Sequence, residues 1–406
     1  MTEQPPPTAQ REPHPGDDAA RQAAPLAPQA PAAQAAIPVE PAAATAEPAP
    51  KLHPKPRIAL WDNARFALIV LVLVGHMVST VRTESQFGFA IYVYIYLFHM
   101  PAMILLSGMF SRADSSPKIV RSTLQLLAVW LVWEGVWALI HLVLEGQAPG
   151  QGFLIKPAWT LWFLVTLVTM RLLLPYIARL RHPLVVSCVL ALASGLSPVL
   201  GTEFSAARTL VFLPFFVLGW LARDRGWIDG IWFTRPTKRL RVFAWAVFAA
   251  LALVFLCVPN LIKIWRLDRW LTWRDSYETT LERAPIGALQ PDTWWSTALV
   301  GIPATAALLF LAALLTFALL IVLPRSTTFC TKWGSRTLFV YLLHGPIVYL
   351  LRTSGVIDDV HAWGLLGVPA LVIMAVALSA LLSMRWVTVV FGPVIEPKID
   401  WLLKRG

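Results

Sequence analysis

The chain has 406 residues, of which 57% are hydrophobic and only 14% are charged. A soluble domain carries nearly twice that charged fraction, so the composition excludes an ordinary soluble protein and indicates a polytopic α-helical membrane protein. The formal net charge is +11, but no basic patch interleaves with exposed aromatic residues in a soluble domain, so we do not expect nucleic acid as a partner.

Residues 1–56 are rich in Pro and Ala and contain no aromatic residue. Such a segment cannot bury enough apolar surface to become ordered, and it lacks the apolar core of a signal peptide. We therefore expect a disordered cytosolic tail that carries no chemistry. The basic excess lies beyond this tail, in the membrane part and its loops.

Residues 57–80 form the first predicted membrane helix, which carries Asp62, Arg65 and His76. Eleven steps from Arg65 to His76 return an α-helix to within about 20° of its starting direction, so both side chains share one face, about 16 Å apart along the axis. Asp62, one turn before Arg65, lies near the same face. Because ionisable groups are costly in lipid, this face should meet protein or water. Arg65 alone is explained equally well as a topology anchor, whereas for His76 we favour a functional role over a helix-packing hydrogen bond.

Nine more apolar segments follow, which predicts an all-α fold with about ten transmembrane helices and both termini in the cytosol. The nine segments are 87–110, 122–145, 158–177, 183–200, 207–222, 242–260, 294–323, 336–352 and 364–385.

Two of these segments contain a histidine shortly before a proline. His99 precedes Pro101, and His344 precedes Pro346. Proline frees a backbone carbonyl in a membrane helix, so we expect a break in each segment, with either histidine as a possible lining residue of the cavity that His76 faces. The commoner alternative for each histidine is a hydrogen bond between packed helices.

Glu134 lies in the third segment, where a carboxylate needs a partner or water. Arg65, Arg121 and His141 are the possible partners, and the sequence does not choose among them. Glu134 is therefore a further candidate for lining the cavity.

The distribution of Lys and Arg among the loops indicates the orientation. The basic loops 111–121, 178–182, 223–241 and 324–336 are predicted to be cytosolic, because the loops 146–157, 201–206 and 353–363 are nearly free of Lys and Arg. The loop 261–293 is the exception, since it places five basic residues on the outer side. Its mixture of Trp, acids and bases suggests a short amphipathic element at the interface.

The chain lacks several signatures of other chemistries. The three cysteines have no spacing that suggests a metal site or a disulfide framework, and we expect no metal. No Gly-rich phosphate loop and no Gly-x-Ser-x-Gly elbow is found.

Five motifs in order resemble membrane-bound acyltransferase family 3, which consists mostly of bacterial O-acyltransferases acting on sugars and glycans. The first is the Arg and His on the first helix after a W-D-x-x-R lead-in at 61–65. The others are FHMPAMILLSGMF (98–110), WTLWFLVTL (159–167), FFVLGW (215–220) and GSRTLFVYLLHGPIV (334–348). They look most like the fucose 4-O-acetylase-like branch, and the resemblance covers roughly residues 57–385.

The resemblance implies a role for several residues. His76 is the expected general base, since neutral imidazole suits proton removal near pH 7. Arg65 is the expected contact for the phosphates of the donor, acetyl-CoA or another acyl-CoA. The second basic motif of the family has two Arg separated by two residues; here it reads Lys118-Ile-Val-Arg121, so Arg121 is the better donor contact and Lys118 lacks the bidentate fork. Trp159 and Trp162 match a motif, but we expect them to serve packing.

The resulting prediction is a transmembrane acyltransferase domain over 57–390, between the tail 1–56 and a short cytosolic tail 391–406. It would reside in the plasma (inner) membrane and transfer an acyl group, most often acetyl, from acyl-CoA to a hydroxyl of a carbohydrate or glycolipid. Two other interpretations stay open: a transporter or flippase of such molecules without acyl chemistry, and a membrane scaffold whose Pro/Ala tail recruits partners.

Overall fold

In the computed structural model, the described residues are 58–150, 152–257, 266–284, 291–399 and 401. The predicted disorder of residues 1–56 lies outside these ranges, as do residues 400 and 402–406 of the predicted C-terminal tail. Among the described residues there is no β-strand.

Each of the ten predicted segments overlaps a helix. These helices are α1 (Ala59–Val78), α2 (Gln86–Met109), α3 (Pro117–Glu145), α4 (Trp162–Ile177), α5 (Pro183–Ser194), α6 (Ala206–Asp224), α7 (Lys238–Cys257), α8 (Trp294–Val322), α9 (Thr337–Thr353) and α10 (Gly367–Leu382). Short helices at Ile231–Thr234, Leu267–Trp270, Tyr277–Arg283, Val356–His361 and Arg385–Ile395 connect or follow them.

Among the described residues, seven helical stretches are long and apolar enough to cross a membrane: α1, α2, α3, α7 and α8, together with Glu203–Asp224 and Gly364–Leu382, in which a 3-10 turn precedes α6 and α10. The helices α4, α5 and α9 have 16, 12 and 17 residues and are not among them. The chain is thus an all-α polytopic membrane protein, as predicted, whereas the count of ten spans stays a prediction.

The helices α1 and α2 form the centre of the helical assembly. In each of them 72% of the most apolar window is buried, against 11% in α7 at the periphery. The two helices pack on each other, α2 also packs against α6 and α8, and α1 packs against α10. The polar residues of α1 therefore lie inside protein, as their cost in lipid requires.

Two glycines allow α2 and α6 to approach closely. A Cβ on Gly108 would overlap the carbonyl of Phe216, and a Cβ on Gly219 would overlap the carbonyl of Leu105. Both glycines belong to motifs that the sequence had singled out, and their effect is to let two helix backbones touch, as small residues do at membrane helix interfaces.

The expected breaks at Pro101 and Pro346 are not present. Both α2 and α9 continue as helices through their proline. Loss of one backbone hydrogen bond is tolerated in a membrane helix when neighbouring helices hold the segment on both sides, and both prolines lie within packed helices.

The loop 261–293 is described at 266–284 and 291–293. Trp270 and Trp273 are buried in the protein, and the short helix Tyr277–Arg283 has one buried and one exposed face. The position of this element at the membrane interface stays a prediction. The buried carboxylate of Asp268 accepts hydrogen bonds from Arg82 and Arg266 (3.3 and 2.9 Å), which draws the segment inward.

Candidate active site

A cavity of about 470 Å³ lies at the C-terminal end of α1. Its wall is built by α1, α2, α6 and α9 together with the segments 159–163 and 269–274. Two groups of side chains line it. The first group consists of aromatic rings and includes His76, Tyr96, His99, Trp159 and Trp162. The second group consists of the arginines Arg82, Arg208, Arg269, Arg274 and Arg352.

His76 lies in this wall, in the last turn of α1. Its ring meets Trp159 edge-on at 4.8 Å between centroids, Tyr96 at 6.4 Å and His344 at 5.2 Å. The preceding residue must be small, because a Cβ on Gly75 would come within 2.9 Å of the Tyr96 ring. Three helices and one connecting segment thus hold one imidazole at the cavity surface.

Hydrogen bonds to the backbone set the protonation of the two other histidines. Nδ1–H of His344 donates to the Val340 carbonyl (3.1 Å), and Nδ1–H of His99 donates to the Ile95 carbonyl (2.7 Å). A neutral imidazole with Nδ1 protonated has its lone pair on Nε2. The buried Nε2 of His344 and the buried Nδ1 of His76 have no hydrogen-bond partner among the described residues.

The histidine candidates therefore separate by position. His76 and His99 line the cavity, whereas His344 is fully buried directly behind His76. In a site of this kind, a ring nitrogen at the cavity surface is able to accept a proton from a bound hydroxyl.

Glu134 does not line the cavity but holds one of the segments that do. Its Oε1 accepts hydrogen bonds from Nε1 of Trp130 (2.8 Å) and from the backbone N–H of Ala158 (2.9 Å). Two of the partners that the sequence allowed lie beside other carboxylates: His141 is within 3.2 Å of Glu145, and Arg65 is within 3.2 Å of Asp62. Because Ala158 precedes Trp159, Glu134 fixes the segment that places an indole against His76.

The tryptophans of the WTLW motif contact charged groups, in addition to the packing that we expected. The guanidinium of Arg352 lies over the Trp159 ring at 4.8 Å, and that of Arg208 lies over the Trp162 ring at 4.5 Å. Both indoles line the cavity, so each presents a cation–π pair to its interior.

The arginines of the cavity were not identified as site residues from the sequence. They come from distant parts of the chain, and only packing brings them together. Arg82 follows α1, Arg208 lies in the first turn of α6, Arg269 and Arg274 lie in 266–284, and Arg352 lies in the last turn of α9. One signal was available, the excess of basic residues in the loop 261–293 that the positive-inside rule did not explain.

Arg65 lies at the opposite end of α1, about 16 Å from His76 by helix rise. It pairs with Asp62 (3.2 Å) and its guanidinium lies over the Phe110 ring at 4.4 Å. Arg223 of α6 approaches the same ring at 5.7 Å, so two guanidinium groups converge on Phe110. The sequence had not singled out Arg223.

The remaining donor-binding candidates, Lys118 and Arg121, lie in the exposed first turns of α3. Neither residue lines the cavity around His76, and the same is true of Asp62 and Arg65. Two separate polar regions thus occupy the two ends of α1.

In the part of the chain that the structure describes, no group of three or more His, Cys, Asp or Glu side chains is arranged to hold a metal ion. The polar groups of the cavity are instead imidazole, hydroxyl, indole and guanidinium groups.

The family model Acyl_transf_3, described as an acyltransferase domain, matches residues 58–384. The match covers every helix from α1 to α10 and both polar regions. No curated protein and no solved structure matches the chain.

Proposed function

We propose O-acylation of saccharides as the function of this chain, which belongs to the acyltransferase family that the match defines and is a membrane acyltransferase. The donor is acyl-CoA, with acetyl-CoA as the first choice, and the acceptor is a hydroxyl of a sugar, glycan or glycolipid. The fucose 4-O-acetylase-like branch stays a prediction within this proposal.

His76 is the general base of the proposed reaction. It takes the proton of the acceptor hydroxyl while the oxygen attacks the thioester carbonyl; the C–O bond forms, the C–S bond breaks, and the imidazolium returns the proton to the thiolate of coenzyme A. The products are the ester and free coenzyme A. The observation that carries this assignment is the position of His76 in the cavity wall, with His344 directly behind it.

Donor and acceptor reach His76 from opposite ends of α1 in this proposal. Arg65 receives the phosphates of coenzyme A, with Arg121 and Lys118 as further contacts, because guanidinium and ammonium groups suit phosphates. Arg65 and Arg223 beside Phe110 support this, since they concentrate positive charge at one place. With the N-terminus in the cytosol of a bacterial inner membrane, Arg65 lies at the cytosolic end and the His76 cavity at the outer end.

The test is transfer by purified full-length protein in nanodiscs, given acetyl-CoA with and without a panel of candidate glycans. The proposal predicts free thiol and a saccharide that gains one acetyl ester, detected by mass. A transporter without acyl chemistry would move the saccharide with its covalent structure unchanged. Absence of both thiol and ester, from protein shown to be folded, would refute the proposal.

A further inference from the structure

The arginines around His76 carry a second inference, which rests on the proposed function. We propose that the acceptor is anionic: the saccharide bears a phosphate, sulfate or carboxylate group that these arginines bind beside the hydroxyl to be acylated. The proposal assigns the cavity a substrate class that neither the catalytic base nor the donor contacts define.

The arginines of the cavity outnumber their carboxylate partners. Asp268 accepts Arg82 and Arg266, and Asp275 lies 3.5 Å from Arg274. These two carboxylates partner Arg82 and Arg274 of the cavity, and also Arg266, which does not line it. The other three arginines of the cavity have no carboxylate at ion-pair distance among residues 58–150, 152–257, 266–284 and 291–399, namely Arg208, Arg269 and Arg352.

Two of these guanidinium groups, those of Arg208 and Arg352, are held by neutral groups instead. Nε of Arg208 donates to the Thr272 carbonyl (3.0 Å), and Arg352 donates to the hydroxyls of Thr80 and Ser79 (3.0 and 3.1 Å). The buried Nε of Arg269 has no acceptor among the described residues. Partly buried cations without a carboxylate at ion-pair distance are costly, and a ligand anion in contact with them would reduce that cost.

The location of these arginines is not that of topology anchors. Arginines that only anchor a helix extend into the cytosol or its interface. These arginines line a cavity together with His76, at the opposite end of α1 from Arg65. They also include Arg269 and Arg274 of the loop 261–293, the one loop whose basic residues contradict the positive-inside pattern. A role in binding explains why the charges are kept there.

One of these arginines, Arg352, lies close to the proposed base. Trp159 is in contact with the His76 ring on one side and with the Arg352 guanidinium on another, each at 4.8 Å from its ring centroid. One indole therefore separates the base from an anion-binding group. A saccharide that places an anionic substituent on Arg352 keeps its neighbouring hydroxyls within the same cavity as His76.

The experiment uses inorganic pyrophosphate as the probe and the full-length protein in nanodiscs of phosphatidylcholine, which has no net charge. Isothermal titration is expected to give saturable binding that weakens at least about tenfold in Arg269→Gln and in Arg352→Gln, since each substitution removes a charge-assisted hydrogen bond. Arg112→Gln is the matched control, because Arg112 is exposed and pairs with Asp114 away from the cavity. No saturable binding by the wild type, or equal affinity in the control and both cavity variants, would overturn the proposal.

Competition with coenzyme A separates an acceptor site from a donor site. The proposal predicts that coenzyme A does not displace pyrophosphate and that Arg269→Gln binds coenzyme A as the wild type does. If coenzyme A displaces the probe and loses affinity in Arg269→Gln, the arginines serve the donor and the proposal is wrong. Thermal unfolding is followed for each variant, and if Arg269→Gln fails to fold, Arg269→Lys and Arg208→Gln provide the same comparison.

Thiol release from acetyl-CoA is measured separately on the same samples. Pyrophosphate binding without thiol release would refute the acyltransferase proposal and leave the anion site standing. Thiol release without arginine-dependent pyrophosphate binding would refute the anion site and leave the acyltransferase proposal standing.

Discussion

The imidazole rings of His76 and His344 lie 5.2 Å apart between centroids, tilted by 30°. His76 lies in the last turn of α1 and His344 in the middle of α9, so the packing of two helices creates the pair. His76 is at the cavity surface and His344 is behind it, with Nδ1–H held by a backbone carbonyl. We interpret His344 as a positioning residue for the base.

Replacing His344 by Leu is expected to lower kcat about 10- to 100-fold while the KM for acyl-CoA stays unchanged, because His344 is remote from the donor end of α1. Steady-state thiol release over a range of acyl-CoA concentrations measures both constants. His344→Asn provides the control, since its amide N–H is able to donate to the Val340 carbonyl but the Nε2 lone pair is lost. Wild-type kcat in both variants would show that His344 only fills space.

Replacing Gly219 by Ala is expected to destabilise the fold, because the new methyl group overlaps the Leu105 carbonyl at the crossing of α2 and α6. Overpacking of this kind costs about 1–3 kcal/mol. The midpoint of thermal unfolding in detergent should fall relative to the wild type. Gly135→Ala in α3 is the matched control, since no atom lies within 4 Å of its added Cβ. Equal midpoints for the two variants would mean that α2 and α6 are not in backbone contact.

Replacing Glu134 by Ala removes the acceptor of two N–H groups, Trp130 Nε1 and Ala158 N. Leaving such donors buried and unpaired costs about 1–3 kcal/mol each, so a lower unfolding midpoint is expected. Activity should fall as well, because Trp159 follows the released backbone. Glu134→Gln keeps an acceptor oxygen and should retain most of the stability. If Gln is as damaging as Ala, the negative charge matters more than the two hydrogen bonds.

Replacing Arg65 by Ala is expected to raise the KM for acyl-CoA about 10- to 100-fold, because a charge-assisted contact to phosphate is lost. The effect on kcat should be smaller, since Arg65 is about 16 Å from the base. Initial rates of thiol release provide both values. Arg179→Ala, at an exposed arginine of the loop after α4, should leave the KM unchanged. An unchanged KM in Arg65→Ala would leave Arg65 as a structural partner of Asp62.

The helices were predictable because each is a local feature of the sequence. A run of apolar residues specifies a membrane helix without reference to the rest of the chain, and α2 begins and ends within one residue of the predicted 87–110. The shared face of Arg65 and His76 was also local, since it follows from helix geometry alone. The N-terminal end of α4 and the C-terminal end of α5 were predicted less well, because the apolar sequence continues beyond each of these ends into a turn.

The composition of the cavity was less predictable, because it depends on which helices pack together. Nothing in the sequence links Arg82 to Asp268 or His76 to His344, whereas in the structure both pairs are neighbours. Glu134 is a further example. Its position in an apolar segment predicted that the carboxylate has a partner, but the observed partners are an indole and a backbone amide and not one of the expected basic side chains.

The measurement that tests the central claim most directly is thiol release from acetyl-CoA by purified His76→Gln in the presence of an accepted glycan. Removal of a general base typically lowers the reaction rate about 100- to 10,000-fold. We therefore expect the turnover of His76→Gln to fall by at least about 100-fold, with the binding of coenzyme A retained. His182→Gln, at an exposed histidine before α5, should match the wild type. Wild-type turnover by folded His76→Gln would contradict the assignment of His76 as the base.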